Sequence, residues 1–76
     1  MKNNTQQEFN DSLDLLSMLF TNKPVHANES RVYITDGDGD VILAFNSRVL
    51  TTVSTELTAN QLECISDLMK IMYKLN

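Results

Sequence analysis

Between Arg31 and Ser54 the chain falls into short runs dominated by β-branched residues, whose alternate positions would share a face, while on either side of that stretch the apolar residues recur every three or four. A period of two marks a strand with one buried and one wet face; a period near 3.6 marks a helix. Within 76 residues that switch, made twice, leaves room for one small sheet and two helices around a modest core.

The strand-like stretch divides at its turns. Val32 and Ile34 alternate with Tyr33 and Thr35. Val41, Leu43 and Phe45 alternate with Ile42 and Ala44. Val49, Thr51 and Val53 then alternate with Leu50 and Thr52. Only short connections separate the runs, which predicts an antiparallel meander. Asn46-Ser47 reads either as the second turn or as a bulge in one long strand.

The flanking segments carry helix start signals. Thr5 with Glu8 fits a capping box at the head of a helix over 5–21, whose Phe9, Leu13, Leu16 and Phe20 share one face. The polar stretch "TNKPVHANES", with the single proline, reads as a loop. Thr58 with Gln61 forms a second capping box, with Leu57 and Leu62 at staple positions, opening a helix over 59–75. Lys70 and Lys74 lie near its C-terminus, where the helix dipole favours cations. The expected fold is α+β: one domain over 1–76 in the order α-β-β-β-α, a three-stranded meander with both helices packed on one face.

Composition limits the function. Ten acids against six bases give a formal charge of −4, and the bases are scattered along the chain. Phosphate neutralisation needs a basic patch, so nucleic-acid binding is disfavoured and a partner with a basic surface is favoured. The apolar runs are far shorter than the ~20 residues of a membrane span, and the polar N-terminus does not read as a secretory signal, so a cytoplasmic protein is expected. One cysteine and one histidine leave no zinc cluster and little for a catalytic triad. With no phosphate-binding loop, HExxH or GxSxG motif, neither an enzyme nor a cofactor is expected.

The "TDGDGD" stretch admits a sharper reading. Asp36, Asp38 and Asp40 have the spacing of the first, third and fifth ligands of an EF-hand loop. The sixth position should be glycine and is Val41; the twelfth should be glutamate and is Ser47. The flanks read as strands where that motif has helices. A type I turn closed by a left-handed Gly39, making a hairpin with a G1 bulge, fits better. The three carboxylates remain as a negative knob suited to lysine or arginine on a partner, and as weak metal-ligand candidates.

His26, in the loop with Glu29 nearby, and Cys64, at the edge of the final helix's apolar arc, are the only candidates for a small regulatory or catalytic role. The more telling feature is a surplus of apolar surface. The last helix carries an apolar arc of roughly 200°, wider than one buried face needs. Cys64, Leu68, Ile71 and Leu75 are therefore candidates for an oligomer interface, with a homodimer expected. On the sheet, Tyr33, Ile42, Ala44 and Leu50 would fall on the face away from the helices. That makes Tyr33, Ile42 and Leu50, with the three aspartates, candidates for partner binding. A small, acidic, motif-poor domain of this kind is similar in general character to phage-encoded inhibitors of host defence, such as anti-CRISPR or anti-restriction proteins. The likeness is one of size and charge and covers no motif.

Overall fold

The computed structural model describes residues 4–28 and 30–75. Two helices, α1 (Thr5–Leu19) and α2 (Ala59–Leu75), flank four strands: β1 (Val25–Ala27), β2 (Val32–Thr35), β3 (Val41–Phe45) and β4 (Leu50–Thr52). The strands form one antiparallel sheet in the order β1-β2-β3-β4. The fold is α+β, as expected, but with four strands. The extra one, β1, lies inside the stretch read as a loop. Three residues, Val-His-Ala, are too few to show an alternation, and Pro24 just before them signals a break.

Register decides what each face carries. Two cross-strand rows, Val25–Ile34–Leu43–Thr52 and Ala27–Val32–Phe45–Leu50, share one face; the row between them, His26–Tyr33–Ala44–Thr51, points to the other. Ile34, Leu43, Val32 and Phe45 are buried in one cluster with Phe9, Leu16 and Phe20 of α1 and Ile65, Leu68 and Met72 of α2. One face of the sheet and both helices thus contribute to a single buried cluster.

One irregularity corrects the expected alternation. Ile34 pairs with Leu43 and Thr35 with Val41, so Ile42 is the extra residue of a β-bulge. A bulge lets two neighbouring side chains enter the same face, and Ile42 and Leu43 are both buried. Val41, expected inside, is displaced to the exposed side. Leu50 pairs with Phe45 and packs against the core, where the outer face was expected for it.

The helices meet at defined ends. At α2 the expected capping box is complete: Gln61 N–H donates to Thr58 Oγ1 at 3.1 Å, and Thr58 N–H donates to Gln61 Oε1 at 3.0 Å. The same Gln61 side chain donates through Nε2 to the Leu19 carbonyl at 2.9 Å, satisfying one of the acceptors left at the end of α1. Leu57 packs on the core, whereas its expected staple partner Leu62 is about half exposed. At α1 the expected capping box differs. Thr5 is the first helical residue, Asn4 takes the N-cap position, and the cap makes no side-chain hydrogen bond. The helix stops at Leu19, short of the expected Thr21. Phe20 N–H still reaches the Leu16 carbonyl, and Asn22 then adopts a left-handed φ of 65°.

Candidate docking surface

The acidic turn is built by its own first side chain. Asp36 Oδ1 accepts the Asp38 N–H at 2.9 Å and the Asp40 N–H at 3.0 Å. Around it, Gly39 N–H donates to the Asp36 carbonyl at 3.1 Å and Asp36 N–H to the Asp40 carbonyl at 2.9 Å. Gly39 stands at φ +88°, the left-handed closure that a type I turn with a G1 bulge requires. The three aspartates therefore divide into different roles. Asp36 is spent on the turn, and Asp38 and Asp40 project their carboxylates into solvent. Among the described residues no group of three or more histidines, cysteines or acids is placed to hold a metal ion.

Asn28 and Asn46 repeat the device in the other two hairpins. Asn28 Oδ1 accepts the Ser30 and Arg31 N–H groups at 2.8 and 3.0 Å, and Asn46 Oδ1 accepts the Arg48 and Val49 N–H groups at 2.7 and 2.8 Å. Asn46 N–H also donates to the Val49 carbonyl at 3.0 Å, which resolves the Asn46-Ser47 alternative as a turn.

The outer row of the sheet falls into two halves. In the first, His26 stacks on Tyr33 with ring centroids 4.7 Å apart and planes 15° from parallel. The Arg31 guanidinium lies 4.8 Å from the Tyr33 centroid. His26 Nε2 meets Thr35 Oγ1 at 3.2 Å. His26 is thus a strand residue and part of a stack; Glu29, expected near it, lies outside the described residues. Of that pair Thr35 is buried and His26 is exposed.

The second half is bare. Val49 and Val53 flank Thr51 two residues to either side, and with Val41 and Ala44 they line an open groove of about 610 Å³. The relative exposures are 56% for Val49, 67% for Val53 and 36% for Val41, against 0% for the inward-facing Val32. Sequence reasoning identified the face and Tyr33 on it, and missed the valines. Their alternation was visible in the sequence, but without the bulge Val41 reads as core, and β4 alone does not reveal which face it turns inward.

The candidates on α2 lie inside the chain. Cys64, Leu68 and Ile71 are buried and Leu75 is partly buried against the core. The wide apolar arc has two neighbours to satisfy. Cys64 Sγ donates to the Ser12 carbonyl of α1 at 3.5 Å, while Ile65, Leu68 and Met72 join the strand residues in the core. Burial, and next the nearby Asp67 carboxylate, push the Cys64 thiol above its ordinary pKa, which makes it a poor nucleophile at neutral pH. Glu8 and Asp11, two of the three acids of α1, line a groove with Asp67, Lys70 and Lys74 of α2. No helix among the described residues is long and apolar enough to cross a membrane.

Compared with family models, with curated proteins and with solved structures, the chain matches none.

Proposed function

We propose that this chain is a non-enzymatic protein-binding module of the cytoplasm that acts by covering part of a partner's surface. The outer sheet face supplies affinity, and Asp38 and Asp40 at the acidic turn select a partner whose own surface is basic. The observation that carries this reading is the second half of the outer face: Val41, Val49 and Val53 are exposed around Thr51 along one groove, where an antiparallel sheet facing only water ordinarily carries polar residues. Blocking a surface needs no cofactor and no catalytic residue. It is the mode of action expected of an anti-CRISPR-like or anti-restriction-like inhibitor of phage type.

Affinity capture from the native host tests the reading with three tagged forms: the parent chain, Val49→Lys with Val53→Lys, and Asp38→Asn with Asp40→Asn. The valine pair is expected to lose the captured partner by about tenfold or more. The aspartate pair is expected to weaken capture at low salt and less so at high salt, because exposed charges are screened. Equal capture by all three folded forms would remove the outer face from the mechanism.

A further inference from the structure

The charges at the two ends of the sheet, taken with the bare valines, identify a partner for that face. The Asp36–Asp40 turn joins β2 to β3 at one end. Arg31 precedes Val32 and Arg48 follows Phe45, and Val32 pairs with Phe45, so both arginines lie at the opposite end. Lys23 sits at the acidic end, since the neighbouring Pro24 carbonyl accepts the Thr35 N–H; against three aspartates it leaves that end net negative. Among the described residues the face is therefore acidic at one end, apolar in the middle and basic at the other.

Resting on the reading of this face as a docking surface, we infer that it accepts a second copy of this chain, packed sheet against sheet about a two-fold axis running across the strands. Two identical sheets can meet face to face about an axis along the strands or about one across them. The first stacks acidic turn on acidic turn and arginine on arginine. The second sets Asp38 and Asp40 of each copy over Arg31 and Arg48 of the other, with the valines enclosed between two pairs of opposite charge. Repulsion excludes the first axis, and attraction at both ends favours the second.

Area sets the strength. Four strands spaced about 4.8 Å apart and three to five residues long give a flat footprint of roughly 19 by 13 Å per copy. With the turns included, total burial is on the order of 1,000 Å², the lower edge of what specific interfaces use. The dimer is accordingly concentration-dependent and weakened by salt.

Sedimentation of the full chain over a concentration series, at low and high salt, provides the test, with circular dichroism to confirm folding. Two charge-reversed forms are compared: Arg31→Glu with Arg48→Glu, and Asp38→Lys with Asp40→Lys. Each alone is expected to raise the dimer dissociation constant by about tenfold or more, because like charges now face each other. Their equimolar mixture is expected to associate again, since both ends are then complementary. Val53→Lys is expected to abolish association in the parent and in the mixture. A parent chain that stays monomeric at about 100 µM in low salt would overturn the inference; so would a dimer indifferent to charge reversal, a mixture of folded forms that fails to associate, or a Val53→Lys dimer. The two readings fail separately. A monomeric parent whose valine variants lose partner capture keeps the docking module and rejects the second copy, whereas a dimer whose valine variants capture as before rejects the module and keeps the dimer.

Discussion

Asn28, Asp36 and Asn46 each place one side-chain oxygen where two backbone N–H groups of the following turn converge. Asparagine and aspartate suit this because their short side chain reaches its own backbone two to four residues on. The shared acceptor predicts a clean contrast. Asn46→Ala is expected to destabilise the fold by about 1 kcal/mol, seen as a lower denaturant midpoint at unchanged slope. Asp36→Asn is expected to be nearly neutral, because Asn46 already performs that role in its own turn. Cys64 gives a prediction in pH. Its folded pKa lies above the unfolded value of about 8.5, so the native state holds its proton longer than the unfolded chain does. That contribution is complete below about pH 8.5 and is lost as pH rises through the raised folded value. The parent is therefore expected to lose stability more steeply than Cys64→Ala across that alkaline range in parallel denaturant titrations.

At the scale of elements, Gln61 does most to fix how the helices meet. Its amide oxygen closes the α2 capping box, and its amide nitrogen reaches the last carbonyl of α1, forty-two residues earlier in the chain. Gln61→Ala removes both bonds and is expected to cost about 1–2 kcal/mol. Gln61→Glu keeps the acceptor for Thr58 N–H, lacks a donor for Leu19, and is expected to fall between the two when unfolding midpoints are compared. The capping half of this was legible in "LTANQL", and α2 runs over the residues expected of it. The bond to Leu19 was not legible, because no local pattern records which distant carbonyl a side chain will face. β1 escaped notice for a similar reason: its strand character comes from pairing with β2 and not from its own three residues.

For the molecule as a whole, the division between core and surface is the quantity to test. Leu68 is fully buried between the layers, and Val53 is two-thirds exposed on the outer face. Leu68→Ala is expected to cost about 2–5 kcal/mol, a large part of the stability of so small a domain. Val53→Ser is expected to stay within about 0.5 kcal/mol in the isolated chain. Comparable losses at the two sites in thermal or denaturant melts would mean that the outer face is already covered. The residues on which the sequence placed an apolar surplus, among them Cys64, Ile71, Ile42 and Leu50, are buried or partly buried. Most of the α2 arc is consumed by α1 and the sheet, and the large apolar side chains left exposed are Val41 of β3, Val49 and Val53 on either side of β4, and Leu15, Met18, Leu62 and Tyr73.

Periodicity, capping and turn chemistry act between residues a few positions apart, so by themselves they determined the two helices, the β2–β3 hairpin with its left-handed Gly39, and the order of the main elements. Tertiary structure alone decided which face of β3 and β4 turns inward. That choice depends on a one-residue bulge at Ile42, and a shift of one residue exchanges the two faces of a strand. Pairing with β2 across a short turn made a strand of Val25–Ala27, and contact with the Ser12 carbonyl, fifty-two residues earlier, buried Cys64 against α1; neither partner is recorded in the local pattern.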